Sequence, residues 1–256
     1  NNLLPGKYKL LTGSEYEDVL NAIMAGEKKV IYMLTIPEGY TLNQTKQKIL
    51  KDIPIIDAEE LENAMSVENY IEYYGFISQS VNSLEGFLFP KTYEVTADYS
   101  AKNIIEMLLT QYQIETSELD YSFADKKGFT NYDILKIASL IEREAYIPEE
   151  RPLISAVIYN RLDINMNLQI DATVRYALNK WDDIVTFEDL EIDSLYNTYK
   201  YPGLPPTPIC SPGIDSIKAA LSPSDVDYLY YVVIDENTHE HKFSNTYEEH
   251  IKAINQ

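Results

Sequence analysis

Hydrophobic residues along the chain follow two spacings, one helical and one alternating. The helical spacing is clearest at residues 131–146 and 149–162, where apolar residues recur three or four positions apart. Alternating β-branched and aromatic residues predict a strand at "KKVIYMLTIP" (28–37) and a strand pair at "DYLYYVVID" (227–235) and "HEHKFSN" (239–245). Helices and short strands in this order predict an α+β fold with a helix-rich centre.

Polar residues in front of apolar helical patterns indicate where helices begin. Thr41 precedes "LNQTKQKILKDI", and Thr130 precedes the central helix with Asp133 in the capping-box position. Further helical patterns occupy residues 58–74, 100–116 and 246–255. The segment "LQIDATVRYAL" (168–178) is short and polar, which favours a strand or a turn leading into a helix. A long loop rich in Pro and Gly follows at residues 196–213, and loops of this length are often functional.

The central helix carries charges inside an apolar pattern. Its apolar stripe consists of Ile134, Ile137, Ala138, Ile141 and Ala145. Arg143 lies opposite the stripe, and Glu142 and Glu144 lie on its two flanks, each about 80° from the centre. Burial on a flank raises a carboxyl pKa, as a general acid requires, whereas the alternative is an ion pair with Arg151 or Arg161. The helical wheel does not separate the two glutamates.

Charge and cysteine content exclude several classes of function. The formal net charge of −20 disfavours binding to nucleic acids, because it repels their phosphates. The single cysteine, Cys210, cannot form an intrachain disulfide or a Cys-rich metal site, and we expect a buried structural thiol. The C-terminal histidines are a weak metal site or a polar strand end, and we expect no metal. They are His239, His241 and His250.

Six ordered segments closely resemble the MltG/YceG-like family of endolytic murein transglycosylases. They are "EGFLFPKTY" (85–93), "IASLIEREA" (137–145), the helical pattern at 149–162, "LQIDATVRYAL", the loop at 196–213 and the C-terminal strand pair. The resemblance covers most of residues 80–250. It implies a bacterial enzyme that cuts nascent peptidoglycan strands within the chain, without a metal or another cofactor.

The resemblance also implies the reaction and its acid. Family members cleave the β-1,4 bond that follows N-acetylmuramic acid and leave a 1,6-anhydro-muramyl end. A lytic transglycosylase uses the C6 hydroxyl of its substrate as the nucleophile, so one carboxyl group suffices, whereas a retaining hydrolase needs two. In the family motif of two acids around a basic residue, the catalytic acid corresponds to the second. This assigns the catalytic role to Glu144 and leaves Glu142 as the alternate.

We expect six polar residues around the glycan cleft on the same basis. They are Glu85, Gln169, Asp171, Thr173, Asn197 and Tyr199. Glu85 is either a second acid in the cleft or a loop carboxylate that binds backbone N–H groups. If their segment is a strand, Gln169 and Asp171 share one face and both project towards the glycan. The alternative has them binding backbone amides at a turn.

The resemblance implies a LysM-like α/β module over residues 1–80, followed by a YceG-like catalytic domain over residues 81–256. The chain begins without methionine, so we interpret it as a fragment. Family members are held at the outer face of the cytoplasmic membrane by an N-terminal helix. We therefore expect an extracytoplasmic, membrane-anchored protein, with peptidoglycan strands as substrate and with peptidoglycan synthases and elongation or division proteins as partners. A muramidase-type hydrolase and a non-catalytic peptidoglycan-binding scaffold stay open as other functions.

Overall fold

A computed structural model describes residues 8, 10–25, 30–181 and 184–255. This described part contains ten α-helices and four short strands, which confirms the helix-rich α+β class. The helices are α1 (Tyr16–Ala25), α2 (Leu42–Asp52), α3 (Ala58–Ala64), α4 (Ala101–Thr116), α5 (Ser122–Lys127), α6 (Asn131–Glu144), α7 (Arg151–Asp163), α8 (Asp171–Leu178), α9 (Ile214–Leu221) and α10 (Tyr247–Ile254). The strands are β1 (Ile31–Thr35), β2 (Thr92–Thr96), β3 (Tyr230–Asp235) and β4 (Glu240–Ser244).

The predicted helix starts at Thr41 and Thr130 are confirmed. The Thr41 hydroxyl accepts the Gln44 N–H at 3.1 Å, and the Gln44 side chain accepts the Thr41 N–H at 2.9 Å. Thr130 and Asp133 make the same reciprocal pair at 3.1 and 3.0 Å. Each capping box satisfies two backbone groups that a helix end leaves free, so these starts are set by local sequence.

The strands form two antiparallel pairs. β1 pairs with β2, where Leu34 lies opposite Tyr93, and β3 pairs with β4, where Tyr231 lies opposite Phe243. Of the predicted strand at residues 28–37, residues 28–29 lie outside the described ranges. The β1–β2 pair joins segments on either side of residue 80. The domain boundary and the LysM-like character of the first segment stay predictions.

The helix predicted over residues 58–74 is wrong beyond Ala64, where α3 ends. The reason is the burial of Tyr70, which is fully inaccessible to solvent. Its hydroxyl donates a hydrogen bond to the Ala64 carbonyl at 2.7 Å, and the Asn69 side chain donates one to the Asn63 carbonyl at 2.8 Å. These side chains satisfy carbonyls at the helix end, so the chain turns there instead of continuing as a helix.

Helix α6 lies at the centre of the fold, packed against α7, α8 and α9. Its predicted apolar stripe is buried along its whole length. Cys210 is buried as expected, with its Sγ atom 3.4 Å from the Ser139 carbonyl oxygen. The helix ends at Glu144 because Ala145 adopts an extended conformation. Within the described ranges, no helix has both the length and the apolar character that a membrane crossing requires.

Gly86 gives a test of how the loop before β2 is held against the core. Its φ of +88° is strained for other residues, and an added Cβ would lie 2.7 Å from the Cβ and Cγ atoms of Pro208. We expect Gly86→Ala to lower the free energy of unfolding by about 2–4 kcal/mol, since backbone strain and overpacking add. Urea denaturation measures the change. Gly75→Ala, where nothing lies within 4 Å, is the control, and equal effects of the two substitutions would contradict this packing.

Candidate active site

Glu144 ends α6 with a half-buried side chain. The Tyr231 hydroxyl on β3 donates a hydrogen bond to its Oε2 atom at 2.9 Å. Neither Arg151 nor Arg161 forms a salt bridge with it in the described part of the chain, and Arg161 instead donates to the Leu229 carbonyl at 2.6 Å. The ion-pair alternative is therefore wrong for this glutamate, and its carboxyl group meets a neutral donor.

The surroundings of Glu144 favour a protonated carboxyl group. Burial raises its pKa above the ordinary value, the hydrogen bond from Tyr231 opposes this, and the negative charge of Asp171 raises it again. Burial and the nearby charge of Glu144 raise the pKa of Tyr231 well above its usual range, so this phenol stays a donor. Glu144 is thus suited to hold a proton at a pH where a free glutamate has lost it.

A buried pair on β4 and the turn before α7 packs behind Tyr231. His241 Nδ1 lies 2.6 Å from Glu150 Oε2, and Glu150 Oε1 accepts the His241 backbone N–H at 2.9 Å. The side chains of His241 and Glu150 are only 6 % and 9 % exposed. The imidazole meets the Tyr231 ring edge-on, with centroids 5.3 Å apart. The sequence predicts a polar strand end or a weak metal site at His241. In the structure its imidazole is instead buried against Glu150 and packs on the Tyr231 ring.

Asp171 and Tyr199 complete the arrangement. The Tyr199 hydroxyl donates to Asp171 Oδ1 at 2.5 Å. Asp171 is the exposed first residue of α8, and its charge acts on Glu144. Burial, the bond to Asp171 and the charge of Glu144 raise the pKa of Tyr199. The Glu144 cluster, as we call it, consists of Glu144, Tyr231, Asp171, Tyr199 and His241.

Of the two conformations predicted for the segment that carries Gln169 and Asp171, the structure has the turn that leads into a helix, and the strand is absent. Gln169 has a positive φ of 52°, and its N–H donates to the Thr198 carbonyl at 3.1 Å. The Ile170 N–H donates to the Thr198 hydroxyl at 2.9 Å. With this positive φ the backbone at Gln169 is not extended, so the side chains here do not point alternately to two faces as they do in a strand. Gln169 is exposed next to Asp171 without sharing a strand face with it.

Thr173 and Asn197 are both fully buried and bind backbone groups. The Thr173 hydroxyl donates to the Ile170 carbonyl at 2.7 Å, and the Asn197 amide donates to the Leu190 carbonyl at 2.8 Å. The Asn197 side chain also accepts the Tyr199 N–H at 3.0 Å. In this structure these two residues shape the loop that presents Tyr199, and they offer no exposed atom to a ligand.

Glu142 lies on the other flank of α6 and binds a different element. Its Oε2 atom accepts the Gly213 N–H at 3.0 Å and the Ser216 hydroxyl at 2.6 Å, both at the start of α9. A carboxylate there satisfies free N–H groups and the helix dipole. The Glu38 carboxylate occupies the space that a Cβ on Gly213 would take, and burial together with the charge of Glu142 raises the Glu38 pKa.

The remaining candidates lie apart from the Glu144 cluster. Arg143 is exposed as predicted, and its guanidinium stacks on Trp181 at 4.2 Å from the ring centroid. Glu85 is only 2 % exposed; it accepts the Leu42 N–H at 2.9 Å and the Tyr176 hydroxyl at 3.0 Å. The structure thus gives Glu85 the N–H-binding contact that was one of its two predicted readings.

Sequence reasoning missed Tyr231 as a partner of Glu144 and Glu150 as a partner of His241. Both contacts join residues 87 to 91 positions apart, so no local spacing contains them. The sequence signal that could have found these contacts is the alternation of residues along the two predicted C-terminal strands. In an antiparallel pair, the alternate residues of two neighbouring strands share a face, which brings Tyr231, His241 and Phe243 together.

Comparison with known proteins points in one direction. The sequence matches the YceG-like family over residues 1–256. It is 36 % identical to an endolytic murein transglycosylase of Bacillus subtilis, covering 97 % of this chain and 71 % of that protein. It is 33 % identical to an endolytic murein transglycosylase of Streptococcus pneumoniae, covering 99 % of this chain but only 50 % of that protein.

A solved structure is similar over nearly the whole chain. The crystal structure of a YceG-like protein from Listeria monocytogenes matches with a TM-score of 0.78 at 35 % identity. The match covers 98 % of this chain and 84 % of that one. The fold described here is therefore shared with a solved structure. The pneumococcal relative is about twice as long as this chain.

The two glutamates of α6 are expected to affect stability in opposite directions. A raised folded-state pKa means that the folded state loses stability as pH rises from the unfolded pKa, about 4.5, towards the folded one. Glu144→Gln should therefore be more stable than the wild type at pH 7, and the difference should vanish below about pH 4.

Glu142→Gln is the matched control and should lose about 1 kcal/mol at pH 7, because it weakens the contact with α9. Urea denaturation of both variants at pH 4 and pH 7 measures the two effects. A destabilised Glu144→Gln protein at pH 7 would show that this carboxyl group is not held in a desolvated state.

Proposed function

Because this chain belongs to the YceG-like family, we propose that it is an endolytic murein transglycosylase in which Glu144 acts first as general acid and then as general base. One observation carries the assignment. The Glu144 carboxyl group is half withdrawn from water and hydrogen-bonded to the neutral Tyr231, whereas Glu142 is already used at the start of α9. Only the former has the surroundings of a proton donor.

The proposed reaction needs a single carboxyl group. Protonated Glu144 donates its hydrogen to the glycosidic oxygen between N-acetylmuramic acid and the next N-acetylglucosamine, and the bond from C1 to that oxygen breaks. The C6 hydroxyl oxygen of the same muramyl residue then bonds to C1, and the Glu144 carboxylate takes the hydroxyl proton. The glutamate returns to its starting form, no water is consumed, and the product is a 1,6-anhydro-muramyl end.

The neighbours of Glu144 support both steps of this reaction. While C1 carries positive charge, the carboxylate of Asp171 is the nearby group of opposite sign that can stabilise it. The hydroxyl of Tyr231 supports the carboxylate form of Glu144 that exists between the two proton transfers, because its hydrogen bond favours the charged state. Gln169 and Tyr199, next to Asp171, are the groups that we propose contact the glycan.

The place of action follows from the substrate. Peptidoglycan lies outside the cytoplasmic membrane, so the proposal includes an extracytoplasmic location with membrane anchoring through a segment outside this chain. Cleavage of nascent strands also implies that peptidoglycan synthases and elongation or division proteins are nearby. The proposal therefore includes both this location and these partners.

Digestion of purified glycan strands tests the catalytic assignment. Glu144→Gln should lower the cleavage rate by at least about 100-fold, since general acid catalysis contributes that much or more. Glu142→Gln should keep activity close to that of the wild type at a temperature well below its unfolding transition. Loss of activity only in Glu142→Gln would reverse the assignment of the two acids.

The mass of the new chain ends distinguishes the rival functions. A transglycosylase leaves a muramyl end lighter by one water molecule than the reducing end that a muramidase releases. Reducing ends would therefore replace the proposal with hydrolysis. Binding without any cleavage by the wild-type chain would favour the scaffold function.

Tyr231→Phe tests the electrostatic link. Loss of the hydrogen bond removes a contact that lowers the Glu144 pKa, so the pKa should rise further. The protonated acid then persists to higher pH, and the alkaline limb of kcat/KM should move to higher pH. Tyr230→Phe is the control, because the Tyr230 ring stacks on His250, whereas the hydrogen bond to Glu144 comes from Tyr231. An unchanged alkaline limb in Tyr231→Phe would mean that another group sets it.

A further inference from the structure

A second concave site lies between α2, α3 and α8. It is a pocket of about 620 Å³, and no member of the Glu144 cluster lines it. The lining residues that matter here are Asn43, Lys46, Glu62, Glu85, Tyr176 and Asn179. The volume is that of a small-molecule or short-peptide site.

The inner wall of this pocket contains the buried Glu85. Burial raises its pKa to about 7, although the hydrogen bonds from the Leu42 N–H and the Tyr176 hydroxyl lower it. No group of the Glu144 cluster contributes to this shift. Near neutral pH, Glu85 therefore exchanges between neutral and charged forms. A cation in the pocket would favour the charged form and would be attracted by it.

The rim of the pocket carries an ion pair and unused amide groups. Lys46 on α2 is paired with Glu62 on α3, and both side chains are accessible, at 27 % and 65 %. The side chains of Asn43 and Asn179 have no hydrogen-bond partner among the described residues. When Glu85 is ionised, two acids face one lysine, and the pocket then has an excess of negative charge.

We propose that this pocket binds a peptide that carries a free ammonium group, such as the uncrosslinked stem peptide of a nascent glycan strand. Glu62 accepts the ligand ammonium, Lys46 is released to a ligand carboxylate, and the two asparagine amides pair with peptide groups. A peptide with both charges replaces the ion pair without leaving either residue unpaired. A neutral sugar has no charge to offer to this pair.

The position of the pocket fits a substrate that reaches both sites. α8 begins at Asp171 in the Glu144 cluster, and Asn179 follows its last residue at the pocket. Eight residues of helix span about 12 Å, a distance that a disaccharide with its attached peptide can bridge. This inference rests on the proposed function, since it names a subsite of the same substrate. It adds that the enzyme binds the peptide of its substrate as well as the glycan.

Calorimetric titration with two synthetic stem peptides tests the inference. One peptide carries a free side-chain ammonium, and the other is identical but acetylated on that nitrogen. We expect acetylation to weaken binding to the wild-type chain at least tenfold, because it removes a charge-assisted hydrogen bond. Glu62→Gln should weaken binding of the free peptide about three- to tenfold, and Asn43→Ala should weaken it about threefold.

Glu59→Gln is the matched control, since Glu59 is also exposed on α3 but does not line the pocket. Equal binding of the two peptides, equal affinity of the Glu62→Gln and Glu59→Gln variants, or displacement of the peptide by a peptide-free disaccharide would overturn the inference. Cleavage of peptide-free glycan strands separates the two proposals. Cleavage that depends on Glu144, without peptide binding, would remove only the subsite. Peptide binding with full cleavage by Glu144→Gln would remove only the catalytic assignment.

Discussion

The hydrogen bond from Tyr231 to Glu144 is the interaction on which the proposed chemistry depends. A glutamate that donates a proton near neutral pH must be partly withdrawn from water, yet it must also be stable as a carboxylate after the proton leaves. A neutral phenol at 2.9 Å meets both needs, whereas an arginine would hold the carboxylate permanently ionised. The buried His241–Glu150 pair packs against the phenol ring, so residues that make no hydrogen bond to Glu144 also shape its surroundings.

Two glutamates separated by one residue contact different elements because a helix turns about 100° per residue, which places them about 200° apart. Glu142 faces the start of α9 and contributes to the packing of the core helices, while Glu144 faces β3. A carboxylate that binds N–H groups at a helix start favours the folded state, whereas a desolvated carboxyl with a raised pKa is expected to oppose it at neutral pH. An acidic pair on one helix therefore does not imply a shared catalytic role.

The sequence predicts the parts of this structure that depend on neighbouring residues. The apolar stripe of α6, the capping boxes at Thr41 and Thr130 and the C-terminal strand pair are all encoded within a few positions. The end of α3 depends on the burial of Tyr70, and there the local pattern gave the wrong conformation. The turn before α8 depends on contacts with Thr198, so the local pattern left a strand and a turn equally open. The choice of Glu144 came from family resemblance, because the partner that distinguishes it lies 87 residues away.

α8 connects the chemistry to the second pocket. Its first residue acts on Glu144 through charge, and Tyr176, near its end, donates to the buried Glu85. Asp171 is one of the charges that raise the Glu144 pKa, and the Tyr176 hydroxyl donates to the acid whose burial raises its pKa to about 7. One helix of eight residues thus supplies a neighbour to each of two acids whose pKa is raised by burial, and each neighbour acts on its own acid.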